Sequence, residues 1–324
     1  MLSKVLTLDV PNSINMRLDK YLSENIDYLS RSKIQGLIND GKVTINGENE
    51  KSSYKLNGDE SIVIYYEEKN ESKNIHLPQE IPLNIIYEDE QILIIDKQPG
   101  LVVHPGNGIN DNTLLNGLMY YTKSLSDING PLRLGIVHRL DKDTSGIMII
   151  AKTNFAHTHI AQQFEKRKVC KKYISLTWGL WDLKTGNIDK PIKRKRSDPT
   201  AFTIDNMGRS AFTSYKIKNS WRYISKVEFM PKTGRTHQIR VHSSFMGHPI
   251  VSDNKYGGGE NRVKGFLPEV SKELINILHI FNRHALHAKS IEFIHPKTNE
   301  SIKFNAPLPD DFIDAINFLT EKYG

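Results

Sequence analysis

The chain has a single cysteine, Cys170, among its 324 residues. One cysteine excludes an internal disulfide framework and a cysteine-built zinc site, so a reduced, cytoplasmic protein without a structural metal is expected. Long apolar runs are missing as well. None approaches the roughly 18 residues of a membrane span, so no membrane association is expected. The N-terminus, Met1-Leu2-Ser3-Lys4-Val5-Leu6-Thr7-Leu8-Asp9, meets an acid too early for a signal peptide. There is no G-x-G-x-x-G segment and no Walker loop, which argues against a nucleotide cofactor. The histidine pairs His157/His159 and His284/His287 have no carboxylate at ligand spacing, so no metal is expected there. A large excess of one charge is absent too: 44 Lys+Arg against 37 Asp+Glu leave +7.

What is present is enough apolar material for a sizeable core, 38% hydrophobic against 25% charged residues, in a length that suits one large or two ordinary domains. The charge is unevenly distributed. Residues 50 to 90 hold ten acids and four bases, a net of −6, whereas residues 166 to 196 hold eleven bases and two acids, a net of +9. A window more basic than the whole chain points to a polyanionic partner.

Residues 16 to 47 form a compact pattern. Leu18, Tyr21 and Leu22 fall at i, i+3 and i+4, predicting a short helix. Ser30 is the expected N-cap of a second, with Ile34, Leu37 and Ile38 on one face and Asn39-Asp40-Gly41 as its stop. The period then changes to two, with Val43 and Ile45 leading into Asn46-Gly47, a strong hairpin signal. Arg17, Arg31, Lys33 and Lys42 lie off the apolar stripes and could line one face. The alternative is a helical cap with solvated charges. The strand Ser61–Tyr66 closes this unit, and residues 67–80 are polar and aperiodic, a linker. The expected organisation is a small domain at 1–66, a linker at 67–80 and a large domain at 81–324.

From Ile81 onward short strands alternate with loops and a few helices: strands at 91–96, 101–103 and 147–151, and a helix from Thr153 to Lys166. This irregular order predicts an α+β fold with a mixed, largely antiparallel sheet. Its densest polar segment is His138-Arg139-Leu140-Asp141-Lys142-Asp143-Thr144-Ser145-Gly146, bracketed by apolar strands. On composition alone it is either a salt-bridged turn or a site at a sheet edge. Asp143-Thr144-Ser145-Gly146 resembles an aspartic-protease turn, but that chemistry needs two facing copies and the chain offers one.

Two resemblances sharpen this. Met16–Leu22, Ser30–Gln35 and Gly41–Gly47 resemble the small RNA-binding domain named after small-subunit ribosomal protein four. The 138–146 segment resembles the signature of the D-type pseudouridine synthases that act on the large ribosomal subunit. So do Lys172-Tyr173, the block from Lys232 to His242, and Arg283-His284-Ala285-Leu286-His287-Ala288. The second resemblance covers nearly the whole chain and implies isomerisation of uridine to pseudouridine in RNA, most simply 23S rRNA of the large subunit, by a monomer without cofactor or metal. It implies that Asp141 is the nucleophile, that Tyr173 stacks on the uracil, and that Arg235 pairs with the carboxylate and keeps it ionised. It further implies that Arg139 fills the gap left by the extruded base and that Leu286 forms an apolar wall beneath it. Asp143 is read as a structural carboxylate of the loop. Lys193, Arg194, Lys195 and Arg196 are expected in a loop reaching over the RNA stem, although their surroundings depart from the usual family sequence. Two alternatives stand beside this: a non-catalytic RNA-binding assembly factor, and a metal-dependent RNA hydrolase, against which the half-cationic loop argues.

Overall fold

A computed structural model describes residues 2–12, 14–26, 31–68, 77–106, 109 and 111–324. The chain divides into two compact units, Met1–Ile75 and His76–Gly324.

The first unit contains the two helices and the hairpin. Its elements are β1 (Leu2–Asp9), β2 (Met16–Arg17), α1 (Leu18–Asn25), α2 (Arg31–Asn39), β3 (Val43–Ile45), β4 (Glu48–Asn49), β5 (Lys55–Leu56) and β6 (Ser61–Glu68). The expected apolar stripes are buried together: Leu18, Tyr21 and Leu22 of α1 meet Ile34 and Ile38 of α2 over Val43, Ile45, Ile62 and Ile64. Asn46 and Gly47 both have positive φ, 50° and 90°, the turn that lets β3 and β4 twist back on each other. Ser30, the expected N-cap, lies outside the described residues. Two features depart from expectation. The N-terminal segment is a full strand pairing antiparallel with β6, Leu2 opposite Glu68, and for that reason β6 runs past Tyr66 into the expected linker. At the other end of that linker, Leu77 and Gln79 bond to Asn116, so 77–80 is part of the second unit.

The second unit is built on a nine-stranded sheet. In chain order its elements are β7 (Asn84–Glu88), β8 (Ile92–Lys97), α3 (Leu114–Tyr121), β9 (Ser145–Ala151), α4 (Asn154–Glu165), β10 (Cys170–Trp178), β11 (Thr185–Asp189), β12 (Ile192–Arg194), β13 (Phe202–Ile204), β14 (Phe212–Ser220), β15 (Ile224–Pro231), α5 (Gln238–Phe245), α6 (Pro268–Ile280), β16 (Leu286–Ile294), β17 (Ser301–Asn305) and α7 (Asp310–Tyr323). The strand order is β11-β14-β15-β10-β16-β9-β8-β7, with β17 also on β16, and β12 and β13 form a separate hairpin. Every pairing among these strands is antiparallel except β9 with β16. The fold is therefore α+β with a largely antiparallel sheet.

All seven residues of β9 are buried, as befits a central strand covered on both faces. One apolar core lies around β8, β9, α3 and α4, and a second around β10, β15, α6 and α7; Tyr173 packs against both. Residues 101–103, expected as a strand, make a single bridge among the described residues, Val102 to Thr113. Their carbonyls are used otherwise: those of Val102 and Val103 accept from Leu114 and Leu115 at the start of α3, and that of Leu101 accepts from Lys97. Helix α4 begins as expected, Thr153 capping the Ala156 N–H.

Candidate active site

The polar segment 138–146 enters β9, and nearly every residue in it is held by a different partner. His138 Nε2 accepts the Ile149 N–H at 2.9 Å, and its ring lies 4.9 Å from that of Phe164; burial pushes the imidazole down to about 3, so it is neutral. Leu140 is buried. The Lys142 carbonyl accepts from Lys97 Nζ at 2.9 Å, an almost fully buried ammonium that also donates to the carbonyls of Gln98 and Leu101. The Asp143 carbonyl accepts from Arg283 Nη1 at 3.1 Å. Thr144 Oγ1 meets His284 Nε2 at 2.8 Å and Ser145 Oγ meets His287 Nδ1 at 3.0 Å. Gly146, at φ +114°, lies so close to Ala288 that a Cβ there would collide with its carbonyl. The parallel register His287 to Ser145 and Ala288 to Gly146 makes the 283–288 block the cradle of the loop.

Arg139 and Asp141 line a cleft of about 520 Å³ together with Lys171, Tyr173, Arg235, His237, Arg240 and Leu286, and no bond among the described residues ties either side chain elsewhere in the loop. Asp141 is one-fifth exposed; its Oδ2 is 3.3 Å from Arg240 Nη1 and 3.9 Å from His237 Nε2. Arg240 is itself nearly buried and forks onto Asp253, Nε to Oδ2 at 2.7 Å and Nη2 to Oδ1 at 2.8 Å, with its guanidinium 4.9 Å from the Tyr256 ring centre. Burial opposes its charge, but the bonds and fields of Asp253 and then Asp141 outweigh that and hold it protonated. Tyr256 Oη accepts the Phe202 N–H and shares a hydrogen bond of 2.7 Å with His237 Nδ1, which ties that ring in place. Burial lowers the His237 pKa below its ordinary value, leaving a neutral ring whose Nε2 faces the Asp141 carboxylate. Burial first, and the charge of Asp141 second, raise the Tyr173 hydroxyl, so it stays protonated. A bulge between Lys172 and Tyr173, where β10 meets β16, sets the direction of that ring.

These positions correct one expectation and refine others. The arginine that pairs with Asp141 is Arg240, not Arg235. Arg235 lines the cleft, but its Nε donates to the Ser210 carbonyl at 3.0 Å and its backbone N–H to Gln238 Oε1. Those bonds fix it in the turn before His237, whose left-handed backbone (φ 56°) delays the start of α5 to Gln238 and brings Arg240 round to the loop. Leu286 serves both as core and as cleft wall. Asp143 is held through its carbonyl; its carboxylate acts at a distance, offsetting part of the burial that drives Lys97 down to about 7.

Of the basic residues, Lys193 and Arg194 stand on the β12–β13 hairpin and not in a loop, because Ile192 packs on Val241 of α5 and brings the strand into register with Phe202–Ile204. Lys193 pairs with Asp205 at 3.7 Å and Arg194 donates to the Pro199 carbonyl; Lys195 and Arg196 are exposed at the tip. Arg17 is about half exposed, yet its guanidinium forks onto the buried Asp19, which also accepts from Gln35. Arg31 and Lys33 belong to α2, and their side chains lie outside those described. Among the described residues, no group of three or more His, Cys, Asp or Glu could hold a metal ion.

The chain is 38% identical to the ribosomal large subunit pseudouridine synthase D of Escherichia coli (strain K12), over 95% of this chain and 92% of the relative. The chain belongs to the RNA pseudouridylate synthase family. Residues 91–245 match the RNA pseudouridylate synthase family model and residues 16–62 the S4 domain model. A relative of the same name from Buchnera aphidicola subsp. Schizaphis graminum (strain Sg) is 43% identical over 94% of each chain. Among solved structures, human RNA pseudouridylate synthase domain containing 4 aligns with a TM-score of 0.57 at 25% identity, over 73% of this chain and 93% of that one. The family match spans β8 to α5, the elements that carry the 138–146 loop, Tyr173 and Arg240. Arg240, His237, Asp253, Tyr256 and Lys97 were not anticipated from the sequence. Arg240 and His237 lie inside the 232–242 block, where helical phasing from Gln238 could have found them; Lys97, Asp253 and Tyr256 carry no local signal.

Proposed function

We propose that this pseudouridine synthase isomerises uridines of large-subunit ribosomal RNA, with Asp141 as the nucleophile. Supporting the choice of substrate are the names borne by its full-length relatives and the S4 match at residues 16–62. The observation that carries the mechanism is the Asp141 carboxylate, open to the cleft and flanked by the Arg240 guanidinium and the His237 ring. An ionised carboxylate in that setting is a nucleophile toward the ribose or the uracil ring.

The uridine must leave its stack to reach the cleft. The exposed Arg139 has a planar guanidinium suited to the gap left behind, and the Tyr173 ring offers the uracil a face above the apolar Leu286 wall. In the reaction the N1–C1′ bond breaks, the ring turns and a C5–C1′ bond forms; the C5 hydrogen leaves as a proton and N1 gains one, so atoms and electrons balance. Bases along the cleft and on the β12–β13 hairpin supply the charge to hold the RNA backbone, and residues 16–62 supply a second RNA-binding surface. A monomer acting in the cytoplasm, where its rRNA substrate is made, completes this reading.

The test is tritium release from rRNA carrying [5-³H]uridine. Asp141→Asn and Asp141→Ala are expected to reduce release by at least about 10⁴-fold, while RNA affinity stays within a factor of about three, since the carboxylate makes no attractive contact with phosphate. Release by Asp141→Ala at near wild-type rate would refute the assignment and favour a binding protein whose aspartate loop is only structural.

A further inference from the structure

We propose that Arg167, at the C-terminal end of α4, is a phosphate-gripping residue of the RNA cleft, kept in a strained backbone conformation to serve there. The inference rests on the RNA substrate proposed above and adds to it a contact that neither the sequence blocks nor the family match identifies.

Helix α4 ends in a reversed-turn cap. The Arg167 N–H bonds to the Phe164 carbonyl and the Lys168 N–H to the Gln163 carbonyl. This is the Schellman arrangement, in which the residue after the C-cap takes left-handed dihedrals and is usually glycine. Helix α5 ends in the same way, Gly247 bonding to Ser244 and His248 to Ser243, with Gly247 at φ +84°. At the equivalent position α4 carries Arg167 at φ 56°. Seven described residues other than glycine have positive φ, and five of them are Asn, Asp or Ser, whose short polar side chains suit such turns. The exceptions, Arg167 and His237, both line the catalytic cleft. Helix-dipole compensation does not require a third base here, because Lys166 and Lys168 already flank the position.

The charge of the cleft points the same way. Arg139, Arg167, Lys171, Lys232 and Arg235 line it without an ion pair among the described residues, while its carboxylates are Asp141, already committed to Arg240, and Glu165. Arg167 is exposed, and its guanidinium has no hydrogen-bond partner among the described residues. A planar fork at the mouth of a cleft rich in unpaired cations is suited to a phosphodiester of the strand that presents the uridine.

Arg167→Gly, Arg167→Ala and Arg167→Lys in the full-length protein test this, with an rRNA stem-loop as the probe. Arg167→Gly gives α4 the cap that α5 has, so its Tm should rise by about 2–4 °C. Its RNA affinity should fall by about 5–10-fold, and the slope of log affinity against log salt should flatten by about 0.7–0.9, one phosphate contact. Arg167→Ala should lose affinity equally without the gain in Tm, and Arg167→Lys should recover most of the slope. Asn299→Gly, which relieves the same backbone conformation in the β16–β17 turn, should leave affinity and slope unchanged. Wild-type affinity and slope in Arg167→Gly, a fall in its Tm, or an equal loss of affinity in Asn299→Gly would each overturn the proposal. Failure of the wild-type protein to bind the stem-loop would instead refute the underlying RNA reading.

Discussion

Arg240 is the residue whose removal separates folding from chemistry most cleanly. It serves two carboxylates at once: a fork at 2.7 and 2.8 Å onto Asp253, whose side chain is 1% exposed, and a single bond at 3.3 Å to Asp141. Arg240→Met keeps much of the length of the side chain and removes the charge, leaving Asp253 buried without a cation. Breaking a buried pair from one side costs about 3–5 kcal/mol. At about 2–4 °C per kcal/mol for a unit of this size, Tm should fall by roughly 6–20 °C. The double variant Arg240→Met/Asp253→Leu removes both charges and should recover most of that loss, because the cost lies in the orphaned carboxylate and not in the missing contact. Tritium release should not recover with it, since Asp141 still lacks its partner. Arg240→Lys should fold more stably than Arg240→Met but react at least about 10²-fold more slowly than wild type, because one ammonium cannot reproduce a fork and a third bond together. Thermal unfolding and single-turnover release on the same preparations provide the two readouts. A loss below about 1 kcal/mol in Arg240→Met, against the 3–5 expected for a broken buried pair, would show that Asp253 does not depend on Arg240. Recovered release in the double variant would remove Arg240 from the chemistry.

Acid should unfold the second unit early. His284 and His287 are held neutral, pushed down to about 2 and about 3, by burial first and by nearby arginine charge second. As pH falls below about 6.5 the unfolded chain takes up protons that the folded chain refuses. Their contribution is therefore complete above that pH and is lost on the way down at up to about 3 kcal/mol per unit for the pair. Urea midpoints at pH 7 and pH 5 measure this, and equal stabilities would show both histidines titrating normally. On the β12–β13 hairpin, Lys195→Ala/Arg196→Ala should flatten the salt dependence of RNA binding by up to about 0.7–0.9 per lost phosphate contact. Lys193→Ala/Arg194→Ala should change it less, because those two side chains already bond to Asp205 and to the Pro199 carbonyl. The reverse order would place the RNA elsewhere on the hairpin.

What could be read from the sequence follows from how local each signal is. Helices α1, α2 and α4 were legible because their apolar faces and boundary residues lie within a few positions of one another, and the β3–β4 turn because Asn46-Gly47 satisfies its own backbone requirement. Strand β1 was not, since nothing in Leu2–Asp9 indicates that its partner is Ser61–Glu68. The same distinction runs through the site. Asp141, Arg139 and Tyr173 lie in short motif blocks, and all three line the cleft; the expectation that Arg235 pairs with Asp141 fails because Arg240 lies in the same block and only the left-handed turn at His237 decides which one reaches the carboxylate.

The 283–288 block shows what such a segment can mean physically. It is one of the matching motifs and would pass for part of the chemistry, yet five of its six residues act on the 138–146 loop or the cleft wall and none offers a reactive group to the cleft. Arg283 holds the Asp143 carbonyl, His284 holds Thr144, Leu286 lines the wall, His287 holds Ser145, and Ala288 leaves room only for Gly146. With Lys97 gripping the Lys142 carbonyl, four consecutive residues after Asp141 are tied by their own atoms to groups more than 40 residues away in the chain. A nucleophile that must meet a base only after that base has left its stack gains from being fixed beforehand, because the cost of ordering the loop is then met in folding and not in the reaction. The residues that look most catalytic by their motif are in large part the ones that hold Asp141 still.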